Sequence, residues 1–301
     1  MKQVMSISLG SSKRNHRSEI DVLGDHFSLE RIGTDGDAAK MKQLFHEQDG
    51  KVDAFGLGGF DLYLCYKKNK YVFREAYNAV KDVKITPVAD GTGVKKTLEK
   101  MAVKYLHDRG IINNSMKVLI PSAVSRYFMY ESFIDLGYKV KWGDLAFSLD
   151  LGKKAFQSPV LMDVLAYTLL PIMVKIPYKW LYPVGESQDV IVPKFDQMYK
   201  EADIIAGDFH YIYKHLATDM TGKIIITNTI TADEIEVLKQ RNVKLVATTT
   251  PEFEGRSFAT NVIEAFACAI LNKKPLDISN QEFIDLFDQL KFQPRIVHLK
   301  E

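Results

Sequence analysis

Polar side chains suited to ligand binding follow several predicted strands in the second half of the chain. In an open parallel sheet, ligands bind beyond the carboxyl ends of the strands. Hydroxyl and guanidinium groups at such an edge suit a phosphate, and a carboxylate suits the hydroxyls of a ribose. The candidates for cofactor binding are Ser122, Ser125, Arg126, Asp144, Asn228, Thr248, Thr249 and Arg256.

The turn at residues 121–126, with the sequence PSAVSR, joins a predicted strand to a predicted helix without any glycine. A helix start offers free N–H groups and a positive dipole with or without glycine. Asp144 follows at about the 20-residue distance where an acid holds a ribose in dinucleotide-binding domains. Without glycine, however, a pyrophosphate approaches the backbone less closely. Two alternatives therefore stay open: a dinucleotide site, or a crevice that is empty or differently used.

The stretch IIAGDFHYIYKH places Asp208 and His210 just beyond another predicted strand. Alternate residues of an extended segment point the same way, so the two could form an acid–imidazole pair. Histidine is a suitable proton shuttle near neutral pH, which makes His210 a candidate catalytic residue. A structural or solvated histidine is the alternative.

A predicted helix after Arg256 is apolar nearly all round and therefore buried, yet it carries Asn261 and Glu264. Buried polar side chains need hydrogen-bonding partners. Either these two residues fasten the helix to the sheet, or Arg256, Ser257 and Asn261 face the interdomain cleft and touch a ligand, with Asn261 as a candidate for substrate binding.

Polar turns in the first third of the chain could hold a substrate. The candidates for substrate binding there are Ser11, Ser12, Asp35, Asp90 and Thr92. Carboxylates accept hydrogen bonds from hydroxyls and free N–H groups accept anions, so a polyol or a carboxylate would suit these turns. Helix capping and an exposed basic loop explain the same residues without any ligand.

Hydrophobic patterning predicts an α/β protein of two domains that meet near residues 111–116. Residues 1–112 form the predicted substrate domain. Residues 113–301 alternate short strands with helices, which implies a parallel sheet covered on both faces. We therefore expect the second domain to be Rossmann-like, a doubly wound parallel sheet followed by a C-terminal helix.

Composition excludes several classes of protein. The 301 residues have a net charge of +2, too small to suggest nucleic acid or a polybasic membrane anchor. Cys65 and Cys268 form no CxxC pair, so neither a disulfide framework nor a zinc site is indicated, and we predict no metal. The motifs HExxH, GxSxG and GxxxxGK[ST] do not occur.

The predicted location is the cytoplasm, because the N-terminus lacks the basic start and long apolar stretch of a signal peptide. The apolar run at residues 159–184 is interrupted by Asp163, Pro171, Lys175 and Pro177. A spanning helix needs about 20 predominantly apolar residues, so a buried helix is expected. A membrane-contacting helix and a lid over a ligand are the alternatives. We predict a small-molecule substrate, no nucleic-acid or membrane partner, and no particular oligomeric state.

Six stretches of the chain, from near Met5 to about Ala267, together resemble one bacterial family. They are SLGSSKR, RIGTDGD, VDAFGLGG, KWLYPVGE, ADIIAGDFH and TTTPEFEGRSFATNVIEA. In them the chain is similar to quinate 5-dehydrogenases. The resemblance implies an oxidoreductase that uses NAD or NADP to oxidise a hydroxyl of a cyclohexane carboxylic acid.

The resemblance also implies a catalytic lysine and aspartate in the first domain, for which Lys13 with Asp61 or Asp90 are the nearest candidates. The nicotinamide would take the hydride, and Lys13 or His210 would take the hydroxyl proton. Residues 248–257 would border the nicotinamide, with Asp144 at the adenosine ribose. The alternatives are a transferase or lyase of an acidic or phosphorylated metabolite, and a non-catalytic metabolite-binding protein.

Overall fold

A computed structural model shows an α/β protein with two large sheets. The structure describes residues 1–148, 158–177, 191–193, 195–250, 252–253, 256–257 and 259–300. Within these residues no helix combines the length and the hydropathy that a membrane span requires. The predicted motif KWLYPVGE lies outside the described residues.

The first part of the chain builds a five-stranded sheet and a separate hairpin. Its strands are β1 (Lys2–Ser8), β2 (His16–Val22), β3 (Asp25–Gly33), β4 (Ala54–Gly58), β5 (Tyr63–Tyr66), β6 (Asn69–Val72) and β7 (Val88–Ala89). Its helices are α1 (Ala38–Gln48), α2 (Arg74–Val80) and α3 (Thr92–Asp108). The sheet has the order β2-β3-β1-β4-β7, with only β2 antiparallel, and β5 pairs with β6.

The second large sheet is built from the remainder of the chain. The further strands are β8 (Lys117–Ile120), β9 (Lys139–Trp142), β10 (Ile204–Gly207), β11 (Ile224–Thr227), β12 (Leu245–Thr248), β13 (Glu252–Phe253), β14 (Arg256–Ser257) and β15 (Arg295–His298). The further helices are α4 (Tyr127–Asp135), α5 (Pro159–Met173), α6 (Asp196–Glu201), α7 (Phe209–Lys214), α8 (Ala232–Gln240), α9 (Thr260–Leu271) and α10 (Asn280–Gln289). The sheet order is β15-β12-β11-β10-β8-β9, and β15 is antiparallel to β12.

The strands of the second sheet are buried on both faces. Ile204 and Ala206 share a core with α4 and α5, whereas Ile205 between them shares a core with α6, α7 and α8. Side chains alternate between the faces of a strand, so a strand covered on both sides must be apolar throughout. The near-continuous apolar runs of β10, β11 and β12 are the consequence.

The predicted α/β class with two lobes is confirmed, whereas the Rossmann-like assignment needs a correction. Along the sheet, the parallel strands β9-β8-β10-β11-β12 stand in the order second, first, third, fourth, fifth. That is the flavodoxin-like order and differs from the usual Rossmann order. Both orders leave a crevice where the strand sequence reverses, here between β8 and β10.

The chain returns to the first sheet after completing most of the second. Ile263 and Phe266 of α9, and Phe283 of α10, share a core with Val4 and Phe27 of the first sheet. The C-terminal strand β15 then joins the second sheet. We refer to the first sheet with α1, α2, α9 and α10 as the first lobe, and to the second sheet with α4 to α8 as the second lobe. The domain boundary between residues 112 and 113 stays a prediction.

Helix α3 packs against both lobes. Its residues Val94 and Leu98 lie in the core shared with α9 and α10. Val103 and Leu106, two turns further on, lie in the core that continues to α4. The helix therefore carries side chains from the first sheet to the start of the second.

Candidate functional site

Five charged side chains meet where the carboxyl ends of the two sheets approach each other. We refer to Asp61, Lys95, Glu99, Arg126 and Asp208 as the interlobe charge cluster. Asp61 follows β4, Lys95 and Glu99 lie on α3, Arg126 precedes α4, and Asp208 follows β10. The fold thus brings together five residues that are separated by up to 147 positions in the chain (208 − 61).

Arg126 is the buried centre of this cluster. Its Nη1 donates to Glu99 Oε1 at 2.8 Å, and its Nη2 donates to Asp208. Burial alone would lower the pKa of Arg126, but the Asp208 and Glu99 carboxylates outweigh burial and raise it. Burial raises the pKa of Glu99 against the opposing effect of Arg126. Because its guanidinium is committed to these two carboxylates, Arg126 is not free to bind a phosphate.

The solvent-facing edge of the cluster consists of Lys95, Asp61 and Asp208, whose side chains are 17%, 32% and 27% exposed. Lys95 Nζ donates to Asp61. Burial lowers the pKa of Lys95, but Asp61 and Asp90 more than compensate, and the net shift is upward. Burial likewise opposes ionisation of Asp208, yet Arg126 lowers its pKa overall. Lys95 and Asp208 therefore keep their charges at neutral pH.

The start of α3 is fixed by Asp90. One carboxylate oxygen, Oδ2, accepts from the backbone N–H groups of Leu62 (2.8 Å) and Tyr63 (2.9 Å) and from the Thr92 hydroxyl (2.7 Å). The other oxygen accepts from the Thr92 N–H at 3.0 Å. Two of the predicted substrate-binding residues, Asp90 and Thr92, thus bond to each other and hold the loop that carries Asp61.

Glu264 reaches the same helix start from α9. Its two oxygens accept from the N–H groups of Gly91 (2.7 Å) and Gly93 (2.8 Å). A Cβ at Gly93 would lie 2.5 Å from Glu264 Oε1, so this approach requires glycine. Burial and the neighbouring Asp90 raise the pKa of Glu264 to about 7, against the effect of the two N–H groups. Asn261 on the same helix donates to Ser6 of β1 at 3.0 Å and fastens α9 to the first sheet.

The glycine-free turn at residues 121–126 is already filled by a carboxylate. Asp144 accepts from the backbone N–H of Ala123 at 2.8 Å and of Val124 at 3.1 Å. Ser122 and Ser125 bond to each other, with 2.7 Å between their hydroxyl oxygens. Burial raises the pKa of Asp144 to about 6 despite the two N–H bonds. The position that a diphosphate would take at this helix start is therefore occupied by the residue predicted to hold the ribose.

The threonines at the end of β12 form hydrogen bonds with other residues at the same edge of the sheet. Thr248 donates its hydroxyl to the Thr250 carbonyl at 2.8 Å, and the Thr249 N–H donates to the Thr227 carbonyl at 2.7 Å. Both residues are almost fully buried. Asn228 lies closer to the charge cluster, with its Nδ2 3.5 Å from Asp208 Oδ2. The side chain of Arg256 lies outside what the structure describes.

The structure gives the predicted catalytic residues other partners than each other. The lysine paired with Asp61 is Lys95, whereas Lys13 is exposed on the 3-10 turn Ser12–Arg14. Asp208 caps α7, and it accepts from the backbone N–H of His210 at 3.0 Å. Asp208 also bonds to Arg126, and both Arg126 and the nearby His210 lower the pKa of Asp208 against the effect of burial.

The predicted substrate turn near the N-terminus is closed on itself. Asp35 Oδ1 accepts from the Ser12 N–H at 2.7 Å, and the Ser11 hydroxyl accepts from the Lys13 N–H at 3.2 Å. Ser12 is the residue after Ser11 in the first loop, while Asp35 begins the turn after β3. The bond between Asp35 and Ser12 joins the two loops, and the bond between Ser11 and Lys13 closes the first loop.

Sequence reasoning missed Lys95 and Glu99. They lie four positions apart on α3, so they share a helix face with each other, and Glu99 is only 2% exposed. Their signal was an opposite-charge pair beside the buried apolar residues Val94 and Leu98. Within the described residues, no group of three His, Cys, Asp or Glu side chains is arranged to hold a metal ion.

Family comparison decides where the chain belongs. Residues 93–299 match the model described as Domain of unknown function (DUF8754). The chain belongs to the DUF8754 family. Residues 3–90 match a second model, Domain of unknown function (DUF8753). No curated protein matches this DUF8754 chain.

Solved structures similar to this DUF8754 protein include several sugar-binding proteins. GanP, a glucose-galactose binding protein from Geobacillus stearothermophilus, is 10% identical over 100% of this chain and 98% of its own, with a TM-score of 0.38. An ABC transporter periplasmic solute binding protein from Actinobacillus succinogenes 130z, with bound D-allose, is 10% identical over 99% and 98%, with a TM-score of 0.36. A periplasmic ribose ABC transporter protein from Conexibacter woesei is 10% identical over 95% and 94%, with a TM-score of 0.35.

These findings correct three predictions. The resemblance to quinate 5-dehydrogenases is wrong, because the family models that match the chain are DUF8754 and DUF8753, both domains of unknown function. The predicted NAD(P)-dependent oxidoreductase acting on a hydroxylated acid is also wrong, because Asp144 fills the turn that the nucleotide needed. The predicted cytoplasmic location is withdrawn as well; two of the similar structures named above are described as periplasmic.

Proposed function

We propose that this protein is a non-catalytic binding protein for a small, neutral, polyhydroxylated molecule, which it holds between the lobes at the interlobe charge cluster. The observation that carries the proposal is the meeting of Asp61 and Lys95 with Asp208 at the carboxyl edges of two parallel sheets. Such edges are where α/β sheets bind ligands. Asp61 follows β4 of the first sheet, and Lys95 lies on α3. Asp208 follows β10 in the second lobe.

A polyhydroxylated ligand suits the groups that reach solvent. Asp61 and Asp208 accept hydrogen bonds, and the Lys95 ammonium and the Asn228 amide donate them. Each hydroxyl of a polyol can donate one hydrogen bond and accept others, so a ring of alternating acceptors and donors matches it. Buried Arg126 holds Asp208 in place from behind.

The charge of the cluster favours a neutral ligand over an acid. Its three carboxylates face two cations, and the Asp90 carboxylate adds a further negative group near Lys95. An anionic ligand would meet repulsion that a neutral one avoids. This balance replaces the predicted carboxylic acid substrate.

We infer binding without chemistry from the directions of the pKa shifts of four charged groups. Proton transfer is most efficient from a group whose pKa lies near the working pH. The pKa values of two carboxylates, Asp144 and Glu264, are raised toward neutrality, and both groups are bonded to backbone N–H groups away from the exposed edge. At that edge, the pKa of Lys95 is raised and that of Asp208 is lowered, so both hold fixed charges.

The test is ligand-induced stabilisation of the full chain. Ribose, arabinose, glucose, galactose and myo-inositol would be screened by thermal shift, with quinate and NAD as acidic comparators, and a ligand that stabilises would be titrated by calorimetry. A ligand at 100 times its Kd should raise stability by about 2.7 kcal/mol, a Tm increase of roughly 4 °C for a chain of 301 residues.

Two variants test whether the polyol binds at the interlobe charge cluster. Asp61→Asn should weaken the polyol at least about tenfold, since it removes a charged acceptor. Asp108→Asn, an exposed carboxylate on α3 that pairs with Lys104, should bind as the native chain does. Stabilisation by quinate or NAD but by none of the neutral polyols would contradict the proposal, as would an unchanged affinity in Asp61→Asn. Chemical alteration of a bound polyol, followed by NMR, would contradict its non-catalytic part.

A further inference from the structure

Helix α5 exposes large side chains although it is apolar on every side. Its inward residues Met162, Ala166 and Leu170 are buried in the core. The outward side chains and their exposed fractions are Val160 (71%), Val164 (52%), Tyr167 (44%) and Ile172 (58%). A helix that is apolar all round is normally covered. We refer to these four outward residues as the outer face of α5.

The polar side chains of α5 are satisfied within the protein. Thr168 donates its hydroxyl to the Val164 carbonyl of the same helix at 2.7 Å. Asp163 accepts from the Tyr66 hydroxyl at 2.6 Å and forms an ion pair with Lys67, 2.6 Å from Nζ to Oδ1. The outer face therefore offers a partner apolar surface rather than hydrogen-bonding groups.

Exposed lysines border this apolar face. The ion pair of Lys67 with Asp163 fixes the turn of the β5–β6 hairpin beside α5. Lys68 is the next residue of that turn, whereas Lys70 lies on β6 opposite Cys65. Both are exposed, and so is Lys175 just past the other end of the helix. Because Lys67 neutralises Asp163, the border is positively charged.

We propose that the outer face of α5 and the lysines around it form a docking surface for an anionic lipid bilayer. Binding to a membrane interface strengthens with the apolar area that is buried and with electrostatic attraction to anionic lipids, and this surface offers both. Each lysine near an anionic leaflet adds attraction, which falls off within a Debye length. This inference is independent of the proposed polyol site, which lies at the carboxyl edges of the sheets.

A lipid surface fits these observations better than a second copy of the chain does. Pairing two α5 helices about a two-fold axis would bring two lysine borders together, which like-charge repulsion opposes. Protein interfaces also carry about one hydrogen bond per 100–200 Å², whereas this face has its polar groups already bonded. Hydrocarbon needs no hydrogen bonds.

The experiment is co-sedimentation of the full chain with vesicles of phosphatidylcholine alone or of phosphatidylcholine mixed with phosphatidylglycerol. We expect binding to the mixed vesicles and its decrease with added salt. Val164→Ser with Ile172→Ser should weaken binding at least about tenfold, because two buried apolar side chains are lost from the lipid contact. Ile85→Ser with Leu276→Ser is the matched control, since these residues are 70% and 58% exposed on other elements.

The lysine border is tested separately. Lys68→Gln with Lys175→Gln should weaken binding to mixed vesicles, whereas Lys104→Gln on α3 should leave it unchanged. Absence of sedimentation with mixed vesicles would overturn the proposal, and so would equal binding by the Val164→Ser, Ile172→Ser variant. A dimer that sediments in the ultracentrifuge and dissociates in that variant would instead make the face an interface between copies, which also overturns it.

Discussion

Replacing Arg126 by methionine would leave the Glu99 carboxylate without its cation in the protein interior. Glu99 is 2% exposed, and the guanidinium nitrogen lies 2.8 Å from its Oε1. Removing one partner of a buried ion pair costs about 3–5 kcal/mol, because an uncompensated charge stays out of water. Burial already raises the pKa of Glu99, so protonation relieves part of this cost. We therefore expect a loss near the lower end, about 3 kcal/mol at neutral pH.

The Asp208 side chain adds less to the loss, because it is 27% exposed and water can solvate it. The decisive variant is Arg126→Met combined with Glu99→Leu, which replaces both partners by apolar groups. Such replacement of a buried pair is often neutral or stabilising. The double variant should therefore be more stable than Arg126→Met alone, by roughly 2 kcal/mol.

Urea unfolding followed by circular dichroism would measure these differences, with Lys104→Met on the exposed side of α3 as the control. The control should stay within about 0.5 kcal/mol of the native chain. The reasoning is refuted if the double variant loses the sum of the two single losses. That result would mean that Arg126 and Glu99 are not energetically coupled.

Two further predictions concern the carboxylates of Asp144 and Glu264. Asp144→Ala removes the acceptor of the Ala123 and Val124 N–H groups and should cost about 2–4 kcal/mol in urea unfolding, with sulfate restoring part of the loss. Equal stabilisation of the native chain by sulfate would show that the turn is open. The pKa of Glu264 is raised from 4.5 to about 7, so its stabilising effect is present below pH 4.5 and is lost as the pH rises through 7. Between pH 5 and pH 8 the native chain should lose about 2 kcal/mol more than Glu264→Gln, and parallel pH profiles would contradict this.

The sequence was informative about which edge of the second sheet carries polar chemistry. Arg126, Asp208 and Asn228 each follow a predicted strand, and the structure joins all three. This worked because parallel strands place their carboxyl ends together, so strand ends that are distant in sequence become neighbours. The rule needs only the positions of the strands.

The same rule could not say what each polar residue contacts. Asp144 was expected to hold a ribose, but it accepts from the N–H groups of Ala123 and Val124. Free N–H groups at a helix start bind any anion of suitable geometry, and a carboxylate from the neighbouring strand end satisfies them as well as a phosphate does. Only the register between β8 and β9 decides that this carboxylate reaches them.

By itself, the sequence determined the α/β class and the buried character of helices such as α9, because apolar periodicity is a local property. It did not determine that α9 and α10 pack on the first sheet, or that Lys95 rather than Lys13 meets Asp61. An apolar helix face can pack against either sheet, and an aspartate can pair with any lysine that lies close enough. Those choices depend on the path of the chain through both lobes, which only the tertiary structure supplies.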